Sequence, residues 1–279
     1  MKIAVASGKG GTGKTTIAVS FALSIEADAF LDCDVEGPNA GLFLRPEIEG
    51  RQDVFMYKPR FNKDKCRLCG LCAQACHFSA IAVSKAKLFF FDELCHGCGL
   101  CSYVCPNDAI DEERVPIGYV EKGLCGDMYF AQGRLLPGEA ISPLVIRNIS
   151  TPMGMKGPVV IDVPAGNACP MREAVKGSDF CLLVAEPTPF GLHDLKIAVN
   201  VMRSMEIPFA VIVNKDNKDY DGIDVFCREN NVDIVLRISF DKKLATAYAK
   251  AVPLIDVIPA LKGDFKHVFN TIQLRLSHS

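Results

Sequence analysis

Two stretches of the sequence carry residue types that do chemistry. "CRLCGLCAQAC", residues 66–76, sets four thiols within eleven positions. Thiols clustered this densely in one short segment suit metal rather than a disulfide framework. "SGKGGTGKTT", residues 7–16, precedes it by about fifty residues. Glycines, lysines and hydroxyls in that order cradle phosphate.

Gly8-Lys9-Gly10-Gly11-Thr12-Gly13-Lys14-Thr15 fits G-x-x-x-x-G-K-[ST], with Thr16 directly after it. The loop follows an apolar run expected to be a strand (2–7) and precedes an expected helix (14–25), the context that the motif requires. Glycines let backbone N–H groups turn inward around phosphate oxygens, and the helix start adds partial positive charge. Lys14 is expected to reach the β- and γ-phosphates, and the Thr15 hydroxyl to coordinate Mg²⁺.

Lys9 is an addition to that motif. A second lysine early in the loop resembles the deviant Walker A of the MinD/ParA/Mrp ATPases and of the nitrogenase iron protein. The resemblance spans residues 1–55 and 115–279. It implies ATP hydrolysis that is slow without a partner, and a homodimer in which Lys9 crosses to the other copy's nucleotide. "LDCDVEGPN" (31–39) resembles the family's switch I, with Asp34 in the place of the aspartate that positions the attacking water. Asp32 is expected to end the strand or support the site. "VVIDVPAGNACP" (159–170) resembles Walker B and switch II, which puts Asp162 near Mg²⁺ through water; a helix cap or turn residue is the alternative. "VIVNKDN" (211–217) resembles the strand end whose asparagine contacts adenine, here Asn214. Asp216 stands one place too early for the guanine-reading N-K-x-D, so ATP is the expected nucleotide.

The cysteine run occurs twice. "CRLCGLCAQACHFSAI" (66–81) and "CHGCGLCSYVCPNDAI" (95–110) superpose at an offset of 29 residues. C-x2-C-x2-C-x3-C in duplicate resembles a bacterial two-cluster ferredoxin, in which each run's fourth cysteine serves the other run's cluster. The resemblance implies two [4Fe–4S] clusters. Cys66, Cys69, Cys72 and Cys105 would hold the first, and Cys95, Cys98, Cys101 and Cys76 the second. Tetrahedral zinc is the alternative for C-x2-C pairs. Pro106 follows Cys105, whereas His77 replaces the proline after Cys76. Of the other five cysteines, Cys33, Cys181 and Cys227 sit in apolar runs and read as core. Cys169 follows Asp162 by seven residues, a spacing similar to that between the switch II aspartate and cluster cysteine of the nitrogenase iron protein. With Cys125 it could bridge a dimer; an ordinary loop cysteine is the alternative.

The elements that must position these residues are legible as runs. KIAVAS (2–7), AFLDCD (29–34), VVIDVP (159–164), FCLLVAEP (180–187), FAVIVNK (209–215) and DIVLRI (233–238) read as buried strands, with helices expected near 190–205, 241–250 and 260–276. Strands without polar alternation, spaced by helices, imply a mostly parallel α/β sheet covered on both faces. Residues 58–114 break that rhythm. We therefore expect a P-loop domain from 1–57 and 115–279, and an inserted α+β two-cluster ferredoxin domain over 58–114.

The chain has 279 residues, 49% of them hydrophobic, and a net charge of −2. No long basic run appears, which argues against nucleic acid as partner, though a local basic patch escapes a whole-chain count. The N-terminal apolar run is too short for a secretory signal and no run approaches a membrane span, so the expected location is cytoplasmic. The tail, FKHVFNTIQLRLSHS, puts Phe265, Val268, Phe269, Ile272 and Leu276 on one helical face. Sparse basic residues favour a terminal helix packed on the sheet over stable membrane association.

These readings converge on an MgATPase that dimerises around ATP and gates electron transfer through two [4Fe–4S] clusters to a redox or metallocofactor partner. The resemblance suggests a small iron–molybdenum-cofactor-binding type of partner. Two alternatives are an Mrp-like carrier that assembles or delivers clusters, and a MinD-like positioning or regulatory ATPase with structural or redox-sensing clusters.

Overall fold

A computed structural model describes residues 1–277. His278 and Ser279, the end of the tail segment, lie outside them. In chain order, β1 (Lys2–Ala6) passes through the glycine loop into α1 (Lys14–Ser24), and β2 (Ala29–Asp32) and α2 (Ala40–Leu44) follow. β3 (Glu47–Phe61) then leads out of the body. α3 (Leu71–Ala75), β4 (Ile81–Val83), β5 (Leu88–Phe90) and α4 (Leu100–Tyr103) form a small lobe. β6 (Ile110–Cys125) and β7 (Met128–Leu135) return, followed by α5 (Ser142–Ile146), β8 (Val159–Asp162), α6 (Cys169–Val175) and β9 (Phe180–Ala185). The chain ends through α7 (Pro189–Ser204), β10 (Phe209–Asp216), α8 (Gly222–Glu229), β11 (Ile234–Ser239), α9 (Lys242–Ala249), α10 (Leu254–Val257) and α11 (Ala260–Ser277).

Nine strands form one sheet in the order β11-β10-β9-β1-β8-β2-β7-β6-β3. The first seven in that order run parallel, and β6 is antiparallel to both β7 and β3. Alternation sorts the sheet's side chains to two cores. Ile3, Val5, Phe30 and Leu182 pack with α1 and with Phe265, Val268 and Ile272 of α11. Ala4, Ala6, Leu31 and Leu183 pack with Leu195 and Met202 of α7 and with Met171 of α6. Helix α1 is buried along nearly its whole length. That is why its Thr, Ile and Val residues are helical despite their weak propensity. The tail helix packs as expected, with Phe265 against Phe21 at 6.0 Å between ring centroids. Among the described residues no helix is long and apolar enough to cross a membrane.

The pairing register shows where the lobe stands. Gly118 of β6 pairs with Leu135, the last residue of β7, and with Val54 of β3. Residues 55–61 of β3 and 110–117 of β6 therefore continue past the carboxyl end of the parallel strands as a two-stranded ribbon. The lobe sits on that ribbon, at the same end of the sheet as the glycine loop. It docks closely: a Cβ on Gly97 would meet the Met56 side chain at 2.5 Å and the Tyr57 carbonyl oxygen at 2.9 Å. Its own core is small, with Cys72, Ile81 and Ile110 buried and Phe61, Phe90 and Leu88 packed around them.

Candidate functional site

The glycine loop closes around the start of α1 at the carboxyl end of β1. Gly11 and Gly13 both hold positive φ, 79° and 85°. At Gly13 space decides as well, since a Cβ there would overlap the Asn214 side-chain nitrogen. Asn214, at the end of β10, donates from Nδ2 to the Thr12 carbonyl oxygen at 2.7 Å. Lys215 donates from Nζ to the Gly11 carbonyl oxygen at 2.7 Å. Asn214 thus braces the loop while lining the same cleft.

That cleft holds about 360 Å³. Its floor is Gly10 to Thr16, one wall carries Asp34 and Asn39, and the far wall is Phe240, Leu244 and Tyr248. Lys14 is buried and forms an ion pair with Asp162, with Asp34 Oδ2 at 3.8 Å. Burial alone would lower the Lys14 pKa, but Asp162 and Asp34 more than offset it and hold the ammonium protonated. Burial raises the carboxyl of Asp34, which Lys14 opposes.

Asp32 is wholly buried. It accepts from the backbone N–H groups of Asp34 at 3.1 Å, Asn39 at 3.1 Å and Ala40 at 3.0 Å. It ends the strand and also ties down the 33–39 loop. Burial, then the neighbouring Asp162 charge, pushes its pKa up to about 7.

Several buried polar atoms around the loop have no partner. They are Asp162 Oδ2, Thr12 Oγ1, Asn39 Oδ1 and Asn167 Oδ1. An orphaned buried oxygen carries a desolvation cost of ~1–3 kcal/mol. Carboxylate and hydroxyl oxygens beside a phosphate loop are the donor set of hydrated Mg²⁺. The residues therefore fit an Mg²⁺–nucleotide.

Lys9 is held by Glu186, with Nζ 3.0 Å from Oε2, while Lys215 holds the other carboxylate oxygen at 2.9 Å. Burial would raise the Glu186 pKa; Lys215 and Lys9 outweigh it and bring the carboxyl below its usual range. Glu186 was not foreseen from the sequence. The available signal was an acid just past the end of buried β9, which pairs with β1. Asp216 accepts from Lys218 N–H and Arg237, a fold contact outside the cleft.

In the lobe, the repeat is written into the backbone. Residues offset by 29 share a left-handed conformation: Leu68 with Gly97, Gly70 with Gly99, and Ser79 with Asp108. Gly70 and Gly99 each begin a short helix, α3 and α4. Cys76 Sγ accepts from Ala80 N–H and Cys105 Sγ from Ala109 N–H, both at 3.3 Å. The structure brings the thiols together in the crossed pattern. Cys66, Cys69, Cys72 and Cys105 line one cavity. Cys76, Cys95, Cys98 and Cys101 line a second. Among the described residues no three metal-binding side chains gather closely enough for a single ion. Thiols spread around a cavity, with amides aimed at two of the sulfurs, fit a cubic cluster. Burial raises the Cys72 and Cys95 thiols and pushes Cys101 up to about 11, so cluster binding must release protons. His77 is exposed on the loop after Cys76, outside both cavities. Phe78 beside it stacks on His96 at 3.7 Å over the second cavity.

Cys33, Cys181 and Cys227 are buried as read. Cys125 donates to the Leu44 carbonyl oxygen and pairs with Met128 at the amino end of β7. Cys169 is exposed at the start of α6, past the carboxyl end of β8. Within one chain the two stand at opposite ends of the sheet.

The fold and loop define a P-loop NTPase that carries a 4Fe–4S dicluster domain. Residues 1–63 match the ParA family model, described as a NUBPL iron-transfer P-loop NTPase, and residues 60–111 match the 4Fe-4S dicluster domain. Uncharacterized protein MJ0578 of Methanocaldococcus jannaschii is 34% identical over 220 residues, 77% of this chain and 78% of that one. An iron-sulfur cluster carrier protein of Pyrococcus horikoshii is 24% identical, covering 94% and 82%. The cell-division ATPase MinD of Pyrococcus furiosus has the same fold, with TM-score 0.55 and 17% identity over 97% of this chain and 98% of that one. The chain belongs to one family with MJ0578, and it joins a ParA-type P-loop segment to a 4Fe-4S dicluster domain.

Proposed function

We propose that this protein is an MgATPase that dimerises across its nucleotide and gates electron transfer through two [4Fe–4S] clusters to a partner protein. The observation that carries the reading is a continuous set of contacts between cleft and lobe. Val35, next to Asp34, accepts at its carbonyl oxygen from Leu135 N–H at 2.8 Å. Glu36 accepts from Ser142 Oγ at 3.3 Å. Between Leu135 and Ser142 lies Glu139, which pairs with Lys58 Nζ at 3.1 Å. Lys58 is only 5% exposed and also pairs, at 3.0 Å, with Asp92, three residues before Cys95. A 33–39 loop that reorders around a γ-phosphate pulls on this set.

In this reading residues 1–57 and 115–279 are the ATPase and 58–114 the cluster domain, although both limits fall within β3 and β6. Backbone N–H groups of Gly8, Gly10, Gly11 and Gly13, with Thr12, Lys14 and Thr16, hold the phosphates. Thr15 holds Mg²⁺, Asp162 does so through water, and Asp34 orients the attacking water. Lys9 leaves Glu186 for the partner copy's phosphates. Asn214 keeps its bond to the loop and offers its remaining edge to adenine. The clusters each carry one electron when bound; the eight thiols hold them, and the partly buried cavity walls limit water. The setting is cytoplasmic.

The test is reduction of an external acceptor by the reduced holoprotein, with and without MgATP. A Lys58→Met variant is expected to keep its ATP affinity and lose the nucleotide dependence. Equal rates with and without nucleotide in the wild-type chain would sink the reading. A second reading, cluster delivery, is supported by the names of the relatives in Pyrococcus. Iron transfer to an apo-acceptor that is lost in Cys169→Ala and kept in Cys66→Ala would favour it.

A further inference from the structure

The net charge of −2 conceals a split inside the lobe. Residues 60–90 contain six basic side chains and one acidic one; residues 91–114 contain six acidic and one basic. The six cations are Arg60, Lys63, Lys65, Arg67, Lys85 and Lys87, and all are exposed. None of them forms a salt bridge among the described residues.

The split follows the two cavities. Arg67 lines the Cys66–Cys69–Cys72–Cys105 cavity, as do Val83 and Leu88. Lys85 and Lys87 occupy the turn between those two strand ends, closed by Ser84 N–H bonding the Lys87 carbonyl oxygen at 2.8 Å. Glu112 instead lines the Cys76–Cys95–Cys98–Cys101 cavity, together with Tyr57 and Pro59 of the ribbon. Tyr57 and Pro59 pair with Arg114 and Glu112, whereas the first cavity touches the ribbon only near its tip, at Ile110. Of the six acids, Asp108 and Asp111 adjoin residues that line the first cavity, whereas Glu112 and Asp92 lie toward the body, where Lys58 holds Asp92. The basic half points away from it, and Cys69 is exposed there.

We propose that this outer, basic rim is a docking face for an acidic patch on a partner protein. The inference deepens the reading above by stating the partner's chemistry, and rests on it for the partner's redox role. Six cations without a salt bridge raise the local concentration and on-rate of an acidic surface. They do so beside the cavity farthest from the ATPase. A compact acidic patch can sit on the tip alone. A long polyanion such as nucleic acid extends beyond one Debye length, ~8 Å, and meets the acidic half.

The test uses the iron-loaded full chain without nucleotide, so nucleotide gating and docking can fail separately. Binding of a short, six-residue polyglutamate probe is measured against salt, alongside a single-stranded 20-nucleotide DNA probe. Lys63→Glu/Lys65→Glu/Arg67→Glu is expected to weaken polyglutamate at least tenfold. Lys156→Glu/Lys176→Glu/Lys262→Glu on the body is expected to change it less than twofold. If the first variant loses iron, Lys85→Glu/Lys87→Glu, on the turn away from the thiols, gives the same comparison. Equal weakening by the body variant, or tighter binding of DNA than of polyglutamate, overturns the proposal. So does self-association of the wild-type chain that the lobe variant abolishes, because a second copy's acidic half would then fill the role.

Discussion

The nucleotide cleft and the cluster lobe solve the same problem, gathering charged or reactive groups, by opposite means. The cleft draws on residues some two hundred positions apart and pairs its charges within the protein: Lys14 with Asp162, Lys9 and Lys215 with Glu186. Its groups are placed by a sheet with two full cores. The lobe draws its thiols from forty consecutive residues, 66–105, and packs them on a core whose buried members besides Cys72 are Ile81 and Ile110. So few buried groups contribute little stability on their own. The body is built to fold and then bind. The lobe is expected to complete its folding on binding.

The largest test of this contrast is iron removal. Chelation of the anaerobic protein is expected to abolish amide exchange protection across 62–109 while 2–32 and 159–216 keep theirs. Loss of protection in both regions would erase the distinction. Next in size is Lys14→Met. It leaves Asp162 buried without its counter-charge, for which removal of one partner costs ~3–5 kcal/mol. Calorimetry should show a lowered melting transition of the body and ATP affinity reduced at least tenfold, with iron content unchanged. Iron lost together with the transition would mean that the lobe leans on the body more than the contrast allows.

The smallest effect concerns Glu186. Its folded-state pKa is depressed, so its contribution is present above the unfolded value, near 4.5, and is lost as pH falls through the lower folded value. Glu186→Gln should remove ~0.2–1 kcal/mol at pH 7, the range of solvent-screened ion pairs, and flatten the loss of stability between pH 5 and 3. Unfolding titrations across that range would show it. A variant as pH-sensitive as the wild type would mean that the Lys9 clamp contributes nothing.

Much of this was legible in the sequence, for a physical reason. β1, β2 and β8 to β10 are buried on both faces and, with the part-buried edge strand β11, appear as apolar runs, and the thiol pattern is local. β3, β6 and β7 were not foreseen as strands of the same sheet. β3 and the outer half of β6 are solvated, with Arg51 over Tyr119 and Arg114 over Phe55 making the cross-strand contacts that apolar residues make elsewhere. Their charges read as a loop around an insertion. Lys58 was invisible for a related reason. A lysine in a charged stretch looks solvated until Asp92 and Glu139, 34 and 81 residues away, close over it. The wall of Phe240 and Tyr248 likewise belongs to a segment with no motif.

The lobe has no slack tether. β3 and β6 are hydrogen-bonded strands of the sheet that carries Asp162, β6 two ladders and β3 three ladders away from β2. A cantilever of this kind transmits tilt and resists free swinging. Spin labels on the lobe and on α1 should therefore report a narrow distance distribution, and any shift on adding nucleotide should move that peak as a whole.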